Sequence, residues 1–201
     1  MLSTTDAIVL ALQPYSDKAH ILHAYTRAYG RVNYKVYGLG RKHAIGMYAP
    51  LSLIQITASY PASGLPTLRE TVIQRSGLTA PRSYSEAVLQ HSGLYKQTIS
   101  LFISEVLYHV LRHPMPDEPM FEFLAQAIQE LNATDEPQNF HIQFLIGLAT
   151  MLGFGIEQEP PLPATRTERQ KTLRTLCAYY EEHVETWQEP KSLDILMEVY
   201  D

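Results

Sequence analysis

The sequence predicts an α+β chain in two parts, a β-barrel over residues 1–80 and an all-α domain over residues 81–201. Five short β-prone runs separated by turn residues fill the first part, and apolar residues recur at helical spacing through the second. No helical pattern lies between the predicted strands, so a parallel sheet built from βαβ units is disfavoured. Five short strands of this kind are typical of a small closed barrel or a sandwich.

The predicted strands are residues 5–15, 18–27, 31–38, 51–60 and 66–77. The third, RVNYKVYG, is the most informative because side chains alternate between the two faces of a strand. One face is expected to hold Val32, Tyr34 and Val36, with Tyr34 buried. The other face then carries Arg31, Asn33, Lys35 and Tyr37, with Tyr37 exposed.

The helices are predicted from capping signals and apolar periodicity. Ser83 and Glu86 form a capping box before a helix that reaches the break at residues 113–119, and a second helix follows over 120–131. Residues 139–154 are apolar on most sides, which favours a central helix. Thr165 and Glu168 form another capping box before a helix over 165–183, and residues 192–200 form the last helix.

The charge of the chain is unevenly distributed. Residues 1–82 contain nine Lys/Arg and three Asp/Glu, a net charge of +6, whereas residues 83–201 contain seven and eighteen, a net charge of −11. Seven tyrosines are interleaved with the cations of the first part: Tyr15, Tyr25, Tyr29, Tyr34, Tyr37, Tyr48 and Tyr60. Cations for phosphates and flat rings for bases are what single-stranded nucleic acid requires. A five-stranded barrel with this surface fits an OB-fold, although packing within the barrel also accounts for many of the tyrosines.

Several function classes are disfavoured by what the sequence lacks. It has no dinucleotide fingerprint, no phosphate-binding loop and no nucleophile elbow, so we expect neither an enzyme nor a cofactor. The single cysteine, Cys177, excludes an internal disulfide, and no metal site is expected. No apolar run reaches the length of about 20 residues that spans a bilayer, and the N-terminus does not have the pattern of a signal peptide. A cytoplasmic protein without membrane contact is the expectation.

The chain also resembles the RecO family of bacterial recombination mediators. AIVLALQPYSDKAHILHAYTRAYGRVNYKVYGLGRK (7–42) is similar to the opening of the family, and APLSLIQITAS (49–59) to its next barrel strand. In the helical half the resemblance rests on FLIGLATMLGF (144–154) and YYEEHVETWQEPKSLDILMEV (179–199). It implies an N-terminal OB-fold, a C-terminal helical domain and a non-enzymatic role.

The resemblance further implies binding of single- and double-stranded DNA and annealing of complementary strands. It implies cooperation with RecR in loading RecA onto DNA coated with the single-strand-binding protein SSB, whose acidic, apolar C-terminal tail docks on the helical domain. With the surface pattern, it predicts these DNA contacts: Lys18, Arg27, Arg31, Lys35, Tyr37, Arg41, Lys42, Arg69 and Arg75. The basic residues available to the SSB tail are Lys96, Arg112, Arg169, Lys171 and Arg174.

One departure from the family concerns zinc. Many members carry a four-cysteine zinc module after the LGF helix, whereas here GIEQEPPLPA (155–164) leads directly to the next helix and contains no cysteine. The module is therefore expected to be absent.

Two alternatives to the mediator function remain open from sequence. An OB-fold adaptor that binds only proteins would show no salt-dependent binding of oligonucleotides. An RNA-binding factor of translation would prefer RNA to DNA of the same sequence, because only RNA offers a 2′-hydroxyl.

Overall fold

A computed structural model describes residues 1–39, 46–75 and 88–199, without the side chains of Arg75, of residues 88–92 and of Val199. The strands are β1 (Leu2–Ser16), β2 (Ala19–Thr26), β3 (Gly30–Tyr37), β4 (Leu53–Ser59) and β5 (Thr67–Arg75). The helices are α1 (Val88–Val110), α2 (Glu118–Ala133), α3 (Phe140–Met151), α4 (Arg166–His183) and α5 (Leu193–Val199), with a 3-10 turn at Pro137–Asn139. The predicted fold class, a five-stranded barrel followed by helices, is confirmed. The capping box predicted at Ser83 lies outside the described residues.

The five strands close into a barrel in the order β1-β2-β3-β5-β4. All neighbouring pairs are antiparallel except β3 and β5, which run parallel where Lys35 lies opposite Thr67. Five strands in a partly parallel closed barrel are the OB-fold. Closure pairs β1 with both β2 and β4, so this long strand has a neighbour on either side.

The barrel interior is filled by the inward-facing residues of all five strands. Tyr34 is fully buried at its centre, and its hydroxyl lies 2.7 Å from that of Tyr60. Val36, Leu22 and Ile56 pack around it in one apolar cluster. The inward face predicted for β3 is therefore confirmed, since Tyr34 and Val36 are buried and Val32 packs against the same cluster.

Contacts within the chain define two compact units. The first contains residues 1–80 together with 111–128, and the second contains residues 81–110 and 129–201. The segment 111–128 covers the outer face of β2, where the ring of Phe121 stacks on Tyr25 at 6.4 Å. The sequence over 18–27 is interpreted as alternating polar and apolar residues, yet with this cover β2 is buried at seven of its eight residues. The domain boundary at residue 80 stays a prediction.

The second unit is a set of packed helices. Its buried residues include Phe102 and Ile103 of α1, Leu145 of α3 and Leu173 of α4. The capping box at the start of α4 is confirmed, because Thr165 accepts from the Glu168 amide and the Glu168 carboxylate accepts from the Thr165 amide. These bonds satisfy helix-terminal amides and fix where α4 begins.

Candidate nucleic-acid interface

One end of the barrel carries an exposed cation, Lys18, and a half-buried one, Lys35, beside two exposed aromatic rings. Tyr37, at the end of β3, lies opposite Ala19 of β2, and Ala19 lies opposite Ser16 of β1. The β1–β2 turn with Lys18 is therefore next to the end of β3. The ring of Tyr15 lies 6.0 Å from Nζ of Lys35, a cation–π distance. We call the set Tyr15, Lys18, Lys35 and Tyr37 the basic-aromatic face.

Exposure distinguishes the two tyrosines of this face from the others in the barrel. Tyr15 is 64% exposed and Tyr37 57%, so each presents most of its ring to solvent. Tyr25, Tyr34 and Tyr48 are buried, and burial raises the pKa of each hydroxyl, to about 12 for Tyr25. Most of the interleaved tyrosines are thus packing residues, and two are available for stacking on bases.

Tyr15 is the residue that sequence reasoning did not select. It lies in β1 at a register shift between Pro14 and Ser16, where the pairing with β2 skips one residue. Such a bulge redirects a side chain, and the proline immediately before Tyr15 is the sequence signal that marks it.

Arg69 lies on β5 at the same level of the barrel. Because β3 and β5 run parallel from the pair Lys35–Thr67, Tyr37 and Arg69 are both two residues further along their strands. The side chain of Arg69 is exposed. It can therefore extend the line of positive charge from Lys18 and Lys35 around the barrel.

A polar network lies on the same outer surface of the barrel, nearer the start of β3 than Lys35. His23, mostly buried, places Nδ1 2.7 Å from Oδ1 of Asn33 and Nε2 3.2 Å from Oε1 of Gln13. Burial lowers the pKa of His23 and the nearby charge of Arg31 lowers it further, against the opposing effect of the Asn33 hydrogen bond. The neutral ring thus fixes three strands together without adding charge to the surface.

Arg27 occupies a different environment. Its guanidinium forms ion pairs with Glu118, with Glu122 at 2.5 Å and with Asp6 at 3.6 Å. It also lies over the ring of Phe121, 4.4 Å from the centroid. Three carboxylates already balance its charge, and two of them belong to the segment 111–128.

Arg31 contacts the same segment. Its backbone amide donates to the carbonyl of His113 at 3.1 Å, and its guanidinium reaches the carbonyl of Leu111 at 3.5 Å. Together with Arg27 it attaches the segment 111–128 to the barrel. Arg41 and Lys42 lie outside the described residues, as does the side chain of Arg75.

The five basic residues predicted to receive the SSB tail lie on several different elements. Arg169, Lys171 and Arg174 lie on α4, Lys96 lies on α1, and Arg112 belongs to the unit that contains the barrel. The Lys96 ammonium donates to the carbonyl of Asn132 at 3.0 Å. Lys171 and Arg174 are exposed, and only Lys171 of the five lines a groove described below.

A groove of about 330 Å³ runs beside α4 in the second unit. Its walls are mostly apolar. The lining residues are Ile156, Pro160, Leu176 and Tyr179 with Gln158, Thr172, Thr175, Glu168 and Lys171. The Glu168 carboxylate accepts hydrogen bonds from the amides of Ala164 and Thr165, and these lower its pKa. Lys171 is the cation of the groove.

The residues present do not fit a zinc module. Cys177 is the one cysteine of the chain, and it is buried. Burial raises the pKa of its thiol to about 12, so the thiolate that zinc requires is disfavoured. Within residues 1–39, 46–75 and 88–199, no three His, Cys, Asp or Glu side chains form a group that could hold a metal. In the same part of the chain, no helix is long and apolar enough to cross a membrane.

Comparison with known proteins gives one family. The family model described as Recombination protein O N terminal matches residues 1–77, and that described as Recombination protein O C terminal matches residues 91–159. A protein named DNA repair protein RecO from Christiangramia forsetii is 25% identical over the full length of both chains. Its namesake from Flavobacterium johnsoniae is 27% identical over 98% of each, and that from Phocaeicola vulgatus 34% identical over 76% of this chain and 61% of its own.

These alignments also show that relatives contain additional residues. The alignment with the C. forsetii protein has 248 positions, 47 more than the 201 residues of this chain. At least that many positions of the relative therefore have no counterpart here.

Proposed function

We propose, from the premise that this chain belongs to the RecO family, that its barrel binds single-stranded DNA through the basic-aromatic face. Family membership gives a role in DNA repair and recombination. The observation that supports direct DNA binding is the clustering of Lys18 and Lys35 with the exposed rings of Tyr15 and Tyr37 at one end of an OB barrel. The ammonium groups bind phosphates and the rings stack on bases, so affinity depends little on sequence.

Among the other predicted contacts, Arg69 extends this face. Arg27 and Arg31 are proposed to hold the segment 111–128 instead, because carboxylates and carbonyls of that segment already receive their donors. Arg41, Lys42 and Arg75 stay predicted contacts, as does duplex DNA as a second ligand. The protein is proposed to act by binding, without catalysis, on the nucleoid in the cytoplasm. Annealing follows when two complementary strands bind the same basic surface, because its cations reduce the repulsion between their phosphates.

The double variant Lys18→Ala/Lys35→Ala is expected to bind a single-stranded oligonucleotide more weakly and with less dependence on salt. Each lost phosphate contact lowers the slope of log affinity against log salt by about 0.7, so the expected decrease is about 1.4. Tyr37→Ala is expected to cost about 1–3 kcal/mol in binding while the slope stays as in the wild type, because a ring contributes by stacking. Fluorescence anisotropy at several salt concentrations measures both quantities.

Lys191→Ala is the matched control, since Lys191 is an exposed lysine of the helical part and lies outside the basic-aromatic face. It should bind DNA like the wild type. An unchanged slope in the double variant would remove both lysines from the site. Absence of binding by the wild type at low salt would instead favour the adaptor function, and tighter binding of RNA of the same sequence would favour the translation factor.

The SSB tail is proposed to dock in the groove beside α4, and the tail–groove contact is one step of RecA loading together with RecR. An acidic, apolar tail needs an apolar channel and a local cation, and the groove offers Ile156, Leu176 and Tyr179 beside Lys171. Lys171→Ala is expected to weaken binding of a labelled tail peptide about tenfold, the usual size of a lost charge-assisted hydrogen bond. Lys96→Ala serves as the control, because Lys96 lies outside the groove; equal losses in both variants would contradict docking at this groove.

A further inference from the structure

A row of two amides and one imidazole lies on the outer surface of the barrel, next to the basic-aromatic face. Gln13 of β1 and Asn33 of β3 each lie two residues before a member of that face, Tyr15 and Lys35 respectively. His23 of β2 lies between the two amides, because β2 pairs with β1 on one side and with β3 on the other. We call Gln13, His23 and Asn33 the amide row.

Both amides of the row present their oxygen atoms to the imidazole ring. Oδ1 of Asn33 lies 2.7 Å from Nδ1 of His23, and Oε1 of Gln13 lies 3.2 Å from Nε2. The NH2 group of each amide is therefore turned away from the ring. Within residues 1–39, 46–75 and 88–199, neither of these NH2 groups donates a hydrogen bond. Since Gln13 is exposed and Asn33 half-buried, both groups can donate to a ligand that arrives from solvent.

The protonation state of His23 determines whether both amides can keep this orientation. A neutral imidazole has one N–H, so it donates to one amide oxygen and accepts from the NH2 group of the other amide. An imidazolium has two N–H groups and donates to both oxygens. Uptake of one proton therefore turns a second NH2 group outward and adds a positive charge. A phosphate oxygen only accepts hydrogen bonds, so it is bound best by the protonated row.

The groups around the ring favour its neutral form in the free protein. His23 is 8% exposed, and burial is the largest cause of its lowered pKa; the hydrogen bond to the neighbouring amide opposes this effect, and the charge of Arg31 adds to it. Lys35 is the second cation beside the row on β3, whereas the negative charge of Asp117 acts on Tyr25, the next outward residue of β2. A phosphate group at the row would bring a negative charge close to the ring and so favour the imidazolium.

We propose that the amide row is a second phosphate site of the barrel, in which a backbone phosphate of DNA and a proton on His23 bind together. This inference rests on the proposed binding of single-stranded DNA by the basic-aromatic face, and it extends the path of the strand from Lys35 toward the start of β3. The phosphate accepts from the NH2 groups of Gln13 and Asn33, and His23 is the positioning residue that orients them. The proton comes from solvent. Because the complex holds it more tightly than the free protein, the additional affinity is present in mild acid and is lost as the pH rises through the pKa of His23 in the complex.

The test is binding of a single-stranded oligonucleotide to the full-length protein at pH 8 and at about pH 5.5, measured by fluorescence anisotropy at several salt concentrations. The wild type should bind about tenfold more tightly at the lower pH. The slope of log affinity against log salt should also be steeper there by about 0.7, because the imidazolium adds one phosphate contact. Circular dichroism at each pH checks that the protein remains folded.

Three variants separate the proposed role of His23 from a structural one. His23→Gln keeps a side chain that forms hydrogen bonds but takes up no proton, so it should bind like the wild type at pH 8 and gain neither affinity nor slope at the lower pH. Gln13→Leu removes one outward NH2 group and should weaken binding about tenfold at the lower pH, with the slope unchanged, because an amide is neutral. His20→Gln is the matched control; it removes a histidine from the opposite face of β2 and should keep the pH dependence of the wild type.

The possible outcomes distinguish this inference from the proposed function. A wild type that binds with the same affinity and slope at both pH values overturns the amide row as a phosphate site and leaves DNA binding by the basic-aromatic face intact. The pH dependence of the wild type in His23→Gln, or an equal loss at both pH values in that variant, overturns it as well. A wild type that fails to bind at either pH contradicts both proposals. Titration of the His23 ring by NMR should show a higher pKa with the oligonucleotide than without it, and an unchanged pKa would also contradict the inference.

Discussion

Gly30→Ala is expected to destabilise the barrel by about 3–5 kcal/mol, because it combines a strained backbone with a steric overlap. Gly30 begins β3 with φ of +61°, a conformation that costs a residue with a side chain about 1 kcal/mol or more. A Cβ at this position would also lie 2.7 Å from the carbonyl carbon and 2.8 Å from the amide nitrogen of Met115, and closer still to its carbonyl oxygen. Backbone atoms cannot yield as the end of a flexible side chain can.

The effect of the substitution should extend beyond Gly30, because Arg31 and Arg27 also connect the barrel to the segment 111–128. The amide of Arg31 donates to His113, and Arg27 reaches Glu118 and Glu122. Moving the backbone of Met115 to admit a methyl group would strain these contacts together. The free energy of unfolding in urea, followed by circular dichroism, measures the loss.

Gly64→Ala is the matched control. Gly64 has φ of +89°, and a Cβ there would meet nothing within 4 Å. It carries the cost of the left-handed backbone without the steric overlap, so a loss of about 1 kcal/mol is expected. Similar losses in the two variants would contradict the close packing of the segment 111–128 on β3.

The local part of this architecture could be predicted from sequence. The alternation in β3 correctly placed Tyr34 inside the barrel and Tyr37 outside it, because successive side chains of a strand point to opposite faces. The capping box at Thr165 correctly gave the start of α4, because all its hydrogen bonds lie within four residues. Patterns of this kind depend only on neighbours along the chain.

The contacts that sequence reasoning missed join distant residues. Arg27 meets carboxylates 91 and 95 positions away, and no local pattern distinguishes that arginine from one that faces solvent. The same segment buries the outer face of β2, which made its alternation a poor guide to exposure. Tyr15 was missed for a related reason, since the bulge that orients it depends on the register with β2.

The exposure of part of the candidate site could be predicted from local sequence, whereas its binding role stays a prediction. A turn leaves Lys18 exposed and a strand end leaves Tyr37 exposed, and Lys35 on the same strand is half-buried. The partner-binding cations were spread over several elements, and sequence offered no means of choosing among them. The groove that Lys171 lines, in which the tail is proposed to dock, also contains Ile156, Gln158 and Pro160, which precede α4 in sequence.

The helical unit is expected to lose stability steeply in mild acid, and His141 on α3 is the reason. His141 is 1% exposed and its ring meets Phe102 edge to face at 6.3 Å. Burial, together with the smaller effect of the positive charge of Arg169 on α4, lowers its pKa to about 3. Since the ordinary pKa is 6.5, the unfolded chain binds a proton below about pH 6.5 that the folded chain rejects until about pH 3. The stability due to the neutral ring is therefore complete above pH 6.5 and is lost as the pH falls.

The contribution of His141 to this pH dependence of the free energy of unfolding can be isolated by substitution. One proton taken up only on unfolding changes the free energy of unfolding by about 1.4 kcal/mol per pH unit, so His141→Leu should remove about this slope between pH 6.5 and 5. Carboxylates titrate mainly below that window. Trp187 is the one tryptophan of the chain, and its ring lies 5.2 Å from that of Tyr180 in the same unit, so its fluorescence follows unfolding of the part that contains His141. A wild-type slope in His141→Leu would mean that the His141 ring accepts its proton while the helices remain packed.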